Sequence, residues 1–385
     1  MSADVDWENG RITDEALAIM RSHIDRRAPV PAWNSEVTAD NIWHFALGVG
    51  DDNPLWWDDA YAAASPWGGR IAPPTYLYSH ASGIRRTPED GKMAVEEFLP
   101  GVLGLWAGER WRWVRPAKVG EKIRADAALV QVDLNENGKF GGRSVRQVEH
   151  MAFRTDSGEL VAEVWHIIKR FQRGDARGKA TYLERPLAVW TAEDRARFDA
   201  HYATEAKRLR RGAEPLYIED VQPNDPIGPM LKGPLTINNI VGFIMGWGSG
   251  LCPTNRMMYD HLKLHPAIAQ LNLATGVMDN FESPHWEQGM AQQSGLASGY
   301  DFGCQRYSWF CHLITDWMGD HGFLEDLDFR LIRPNFLNDV TWLNGTVQEV
   351  DLASRIATVR ITTTNQLDET TAAGVAKVRL PSRAG

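Results

Sequence analysis

The chain has 385 residues and carries 41 Lys+Arg against 50 Asp+Glu, a net charge of −9. That length predicts about two domains, and 43% hydrophobic with 24% charged residues suits a globular protein that buries real cores. The acidic balance argues against a nucleic-acid partner. The 3 cysteines (Cys252, Cys304, Cys311) argue against a disulfide framework or a zinc site. The start has no apolar leader and no run is long enough to span a bilayer, so a cytoplasmic protein with no membrane partner is expected. The unusual feature is 16 tryptophans, which suggest large apolar pockets or interfaces.

In chain order, Thr38 opens a short helix over TADNIWHFALGVG, and the irregular NPLWWDDAYAAAS follows at 53–65. PPTYLYSHASGI reads as a longer apolar helix. Residues 122–135 and 141–172 read as strands with the turn at Asn135–Gly138. Thr191-Ala-Glu-Asp is a capping signal for a charged helix in a connector at 173–212. Thr236 opens TINNIVGFIMGWG, residues 301–319 form the strongest apolar helix, and 340–350, 355–364 and 373–380 read as strands. A long helix followed by antiparallel strands, twice over, predicts an α+β class. No GxGxxG follows a strand, so no dinucleotide cofactor is expected.

The order repeats because the sequence does. RWVRPAKVGEK (112–122) matches RLIRPNFLNDV (330–340): Arg112 with Arg330, Arg115 with Arg333, Pro116 with Pro334, and Glu121 with Asp339, an offset of 330 − 112 = 218. FALGVG (45–50) matches FIMGWG (243–248), and NPLWWDDAYAAAS matches SPHWEQGMAQQSG (283–295) with Trp57 over Trp286. The changing offset places an insertion between Gly248 and Ser283. The expected division is 1–172, a helical linker at 173–212, and 213–385.

FALGVGDDNPLWWDDAYAAAS resembles the signature of MaoC-like hydratases and dehydratases, which include (R)-specific enoyl-CoA hydratases and fatty-acid-synthase dehydratase domains. WGGRIAPPT (67–75), YIEDVQPNDPIGPMLKGPLT (217–236) and the RxxRPxxxxD pattern extend the resemblance over both halves. It implies a tandem (double) hot-dog, in which each half is a long central helix wrapped by an antiparallel sheet. It also implies hydro-lyase activity on the α,β double bond of an acyl-CoA thioester, with coenzyme A as part of the substrate, no further cofactor and no metal. A homo-oligomer is expected.

The departures from the family pattern divide the work between the halves. Asp51 and Asn53 survive in the first half, but Trp56 stands at the catalytic His position, so this site is expected to be degenerate and its tryptophans (43, 57, 67, 106, 111, 113) to wall a pocket for a bulky apolar acyl group. In the second half His285 takes the His position. The family spacing puts the acid five residues earlier, at 280, which is Asn. Asp279 is therefore the expected partner of His285, with Glu282 as runner-up. The oxyanion donors are expected at Gly303, where the buried helix begins, with Tyr300 and Asp301 lining the approach. Read alone, His285 is more readily a surface or packed histidine, and Gly303 is equally a close-packing glycine. Two other classes remain open: a non-catalytic acyl-CoA-binding or scaffold subunit, and a hot-dog thioesterase using Asp301.

Overall fold

The computed structural model describes residues 10–84, 99, 102–138, 142–172 and 182–384. Ten strands form one continuous antiparallel sheet. In the first half these are β1 (Ala28–Val30), β2 (Val102–Trp113), β3 (Ile123–Asn135), β4 (Ser144–Thr155) and β5 (Leu160–Gln172). The second half contributes β6 (Pro226–Lys232), β9 (Phe323–Leu331), β10 (Thr341–Asp351), β11 (Ile356–Thr364) and β12 (Thr370–Arg379). The order β1-β3-β4-β5-β2 meets its mirror image β9-β12-β11-β10-β6 at the β2–β9 seam.

That seam confirms the duplication residue by residue. The offset of 218 carries Arg110 onto position 328, and Arg110 pairs with Asp328 across the seam. Glu109 pairs with Phe329 and Trp111 with Leu327, as a two-fold axis through the central pair requires. The short helices obey the same symmetry. Ala39–Val49 and Ile237–Trp247 are both capped by a threonine, Thr38 or Thr236, whose side chain accepts a backbone N–H. Each ends on a positive-φ glycine, Gly50 or Gly248. The two helices cross on small residues. A Cβ at Gly48 would lie 2.7 Å from the Gly242 carbonyl oxygen, and one at Gly246 would lie 2.4 Å from that of His44.

The second half keeps the family's central helix, Gly303–Met318, and 15 of its residues are buried. In the first half the expected apolar helix is a 3-10 helix, Pro74–His80, and residues 85–98 lie outside those described. Consecutive prolines, Pro73 and Pro74, withhold the N–H groups and backbone freedom that an α-helical start would use. The segment read as a linker is described in part. Ala192–Leu209 is a helix with the Thr191–Asp194 capping box, while 173–181 lies outside the described residues. The insertion forms a helix, Arg256–Leu264, and a small hairpin, β7 (Ala269–Leu271) with β8 (Met278–Asn280). No helix among the described residues is long and apolar enough to cross a membrane.

Candidate active site

Each half builds the same turn. In the first, Asp51 Oδ1 accepts the Asn53 N–H at 3.1 Å and Asn53 caps the 3-10 helix Pro54–Trp56. In the second, Asn280 Oδ1 accepts the Glu282 N–H at 2.8 Å and Glu282 precedes the 3-10 helix Ser283–His285. Asn280 therefore occupies the place of Asp51, Glu282 that of Asn53, and His285 that of Trp56. The helices that follow are capped alike, by Asp58 and Glu287.

His285 is held in a defined state. Its Nδ1 lies 2.9 Å from the Tyr300 carbonyl oxygen, its ring stacks on Phe302 with centroids 3.9 Å apart, and Tyr300 covers it at 4.2 Å. A carbonyl only accepts, so Nδ1 carries the proton and Nε2 presents its lone pair. Nε2 has no hydrogen-bond partner among the described residues. Burial pushes the imidazole down to about 4, so it is neutral at ordinary pH. Gly299 makes this approach feasible, because a Cβ there would lie 2.5 Å from the His285 carbonyl oxygen.

Asp279 does not join it. Its Oδ1 accepts the N–H of Asn280 at 2.8 Å, and it makes no hydrogen bond or ion pair with His285. The hairpin that carries Asp279 holds its carboxylate one residue out of the turn. Glu282 is the buried acid here, with 5% exposure. Its Oε2 accepts from Ser249 Oγ at 3.0 Å, with Cys252 Sγ at 3.6 Å. Burial raises its carboxyl to about 7, although the Ser249 and Cys252 contacts oppose this. Its field reaches Cys304, in the first turn of the central helix. Ser249 directly follows the positive-φ Gly248, and the fold of the insertion brings Glu282 back against its hydroxyl.

Gly303 begins the central helix with no side-chain cap, so its first N–H groups are available to an anion. Gly303 also has a packing role: a Cβ there would lie 2.9 Å from Trp106 and 3.0 Å from Leu331. Asp301 is engaged elsewhere. Both its oxygens bind Arg306, which also donates to the Arg333 carbonyl at 2.7 Å, and Asn335 Nδ2 donates to Asp301 at 3.2 Å. It locks the helix start to the turn after β9 rather than lining the approach.

The tryptophans divide into groups the sequence did not separate. Trp106 lies on Gly303, and its ring is 4.1 Å from that of His166. Trp111 is a core residue stacked on Trp113 and Phe153. Trp43 and Trp57 pair at 6.0 Å, with Trp57 exposed. Trp56, Trp67 and Trp113 line a separate cavity beside Asn53.

Asp51 itself has a new partner. His312 Nε2, on the central helix of the other half, lies 3.6 Å from Asp51 and 3.4 Å from Asp316. Burial alone would raise Asp316, but the His312 imidazole, Arg210 and Lys232 hold it below its usual value. One ligand atom from each of Asp51, His312 and Asp316 could converge on an ion. Lys232 Nζ, however, is 2.8 Å from His312 Nδ1 and places a cation inside the cluster. That charge opposes a second cation, and the group reads as an ionic tie between the halves. The pairing is invisible in sequence because Asp51, Lys232 and His312 come from three distant segments.

Residues 28–164 match the family described as FAS1-like, dehydratase domain region. A UPF0336 protein of Parafrankia sp. is 30% identical over 128 residues, 33% of this chain and 79% of that protein. A UPF0336 protein of Thermobifida fusca is 27% identical over 161 residues, 42% of this chain and 97% of that protein. Among solved structures, one named MaoC-like dehydratase aligns with TM-score 0.65 at 18% identity, over 94% of this chain and 100% of its own. A Mycobacterium tuberculosis protein described as having a double hotdog fold aligns at 0.54 and 11% identity, over 96% of each chain. A MaoC-like dehydratase from Phytophthora capsici aligns at 0.53 and 9%, over 93% of this chain and 96% of its own. The chain thus belongs with the UPF0336 proteins through its FAS1-like dehydratase domain region, and its mirrored sheets have the double hot-dog fold seen in structures named MaoC-like dehydratase.

Proposed function

We propose that the chain is a hydratase/dehydratase of α,β-unsaturated acyl-CoA thioesters, working at the His285 site. The observation that carries this is the His285 tautomer: Nδ1 is committed to the Tyr300 carbonyl, which leaves the Nε2 lone pair to take a proton from water. In hydration, the oxygen of that water bonds to the β-carbon as its proton passes to Nε2. The electrons of the double bond move onto the thioester oxygen, where the N–H groups at Gly303 and Cys304 stabilise the charge. Glu282, half protonated near pH 7, then supplies the proton to the α-carbon. Dehydration reverses each step. Glu282 is preferred to Asp279 because it is buried and raised, whereas Asp279 is tied to Asn280. The test is hydration of enoyl-CoA thioesters of graded bulk, followed by loss of the conjugated thioester. His285→Ala is expected to lose at least ~10²-fold in kcat; wild-type turnover by that variant overturns the assignment.

A second reading, a non-catalytic acyl-thioester-binding subunit, is favoured by one observation: Asn280 stands where Asp51 stands in the other half. It is distinguished by tight acyl-CoA binding without turnover. The thioesterase reading loses its carboxylate, since Asp301 is saturated by Arg306 and Asn335.

A further inference from the structure

Strand β2 is bulged next to Gly303. Its pairing with β5 shifts register between Trp106 and Gly108, which leaves Ala107 without a partner. In a regular strand residues 106 and 109 lie on opposite faces; the extra residue turns Trp106 onto the face of Glu109. There the two share a neighbour. Glu109 is 1% exposed, and its Oε1 lies 2.7 Å from Nδ1 of His166, the residue opposite it on β5. A carboxylate only accepts, so His166 donates from Nδ1. The other Glu109 oxygen accepts from Trp111 Nε1 at 2.8 Å and from the Tyr78 hydroxyl. The His166 ring centroid lies 4.1 Å from that of Trp106, and Tyr78 meets the same indole edge-on at 5.9 Å. Trp106 in turn fills the space that a side chain at Gly303 would need. A line of printed contacts thus runs from Glu109 through His166 and Trp106 to the start of the central helix.

The second half makes the same bulge without this network. β9 shifts register against β12 between Leu324 and Asp326, leaving Glu325 over, and 325 − 107 = 218 is the offset of the repeat. Leu324 and Leu327 stand in the places of Trp106 and Glu109, and Ala376, opposite Leu327, in that of His166. All three are buried. Apolar residues therefore fill this place in the fold, and a buried carboxylate kept there instead must be repaid by its bonds. The polar version stands only where Trp106 meets Gly303. We propose that Glu109 and His166 are positioning residues of the His285 site: with Tyr78 they hold Trp106 against Gly303, and so fix the helix start whose N–H groups receive the thioester oxygen. This rests on the hydratase reading above, and it gives the first half a part in the reaction although its own His position is Trp56. Both residues act through Trp106. Donors to an oxyanion work only where the charge develops, and a displacement of ~1 Å can cost ~10²-fold.

The experiment compares His166→Ala with His166→Asn in the full chain. In the alanine variant Trp111 and Tyr78 still donate to Glu109, so its charge is not stranded. Enoyl-CoA hydration by His166→Ala is expected to lose ~10-fold in kcat with KM within about twofold, because the donors act on the transition state. Asparagine can offer an amide N–H to Glu109 in place of Nδ1–H, and His166→Asn should recover most of the loss. A second readout needs no turnover. The Gly303 amide resonance of the 15N-glycine-labelled chain, assigned by its loss in Gly303→Ala, should move in His166→Ala and return towards its wild-type position in His166→Asn. A Gly303 resonance unmoved in His166→Ala overturns the proposal, as does a raised KM at unchanged kcat. A wild-type chain without turnover refutes the hydratase reading instead, and the Gly303 resonance then still decides whether Glu109 and His166 hold the helix start.

Discussion

Glu282 and His285 lie three residues apart and are displaced in opposite directions, which makes a specific prediction about stability. Glu282 rises from 4.5 to about 7 and His285 falls from 6.5 to about 4. Each displacement is about 2.5 pH units, or about 3 kcal/mol at ~1.4 kcal/mol per unit. Between pH 4.5 and 7 the folded protein holds more protons on Glu282 than the unfolded chain does. The stability from Glu282 is therefore full below 4.5 and is lost as pH rises to 7. Between pH 4 and 6.5 the folded protein holds fewer protons on His285. The stability linked to it is full above 6.5 and is lost as pH falls to 4. Across pH 4.5–6.5 the two slopes cancel, so each variant should uncover the other residue. The assay is urea unfolding at half-unit steps from pH 4 to 8, read as variant minus wild type so that all other groups subtract. Glu282→Gln should be near neutral at pH 4.5 and more stable than wild type by about 3 kcal/mol at pH 7.5. His285→Gln should gain about 3 kcal/mol at pH 4 relative to its difference at pH 7. Differences that stay flat with pH would refute the burial argument for both residues.

Activity offers a parallel check, because hydration requires neutral His285 and protonated Glu282: kcat/KM should hold between pH 4 and 7 and fall above 7, and Glu282→Gln, which has no proton to give, should lose turnover across the whole range. Gly246→Ala drives a Cβ to 2.4 Å from the His44 carbonyl and should lower stability by ~1–3 kcal/mol, whereas Gly242→Ala opens into free space and should be nearly silent in the same thermal melt. Asp301→Ala leaves the buried Arg306 without its carboxylate and should cost ~3–5 kcal/mol by chemical denaturation. Gly303→Ala forces Trp106 aside and should depress kcat, with Trp106→Leu restoring part of the loss in the double variant.

The duplicated architecture was legible because it rests on local signals. Arg115 and Glu121 pair at 2.8 Å, and Glu121 accepts the Lys118 N–H at 2.8 Å. The repeat keeps this device, since Asp339 accepts the Phe336 N–H at 2.9 Å. One departure was hidden. Asp339 pairs with Arg185 of the linker at 2.8 Å rather than with Arg333, a long-range exchange that no spacing announces. The His285 position was legible from the signature, and so was Asn at 280. Which carboxylate is buried beside that turn was not, because the place of Glu282 against Ser249 and Cys252 depends on how the insertion folds back. A Trp count cannot say that Trp106 covers one helix end, that Trp111 is core, or that Trp67 and Trp113 line a small cavity at the other end.

The Arg110–Asp328 pair at the axis of the joined sheet bears on how such a protein can change. In a dimer of identical chains every substitution appears twice, so a site cannot be altered without altering its twin. Here a covalent chain crosses the axis, and each position is written once. Trp56 and Asn280 are changes of that kind, each confined to one half. Separating the halves would also expose β2 and β9 as long unpaired edges, which are prone to join other chains. The seam thus keeps together two sites that are free to evolve apart.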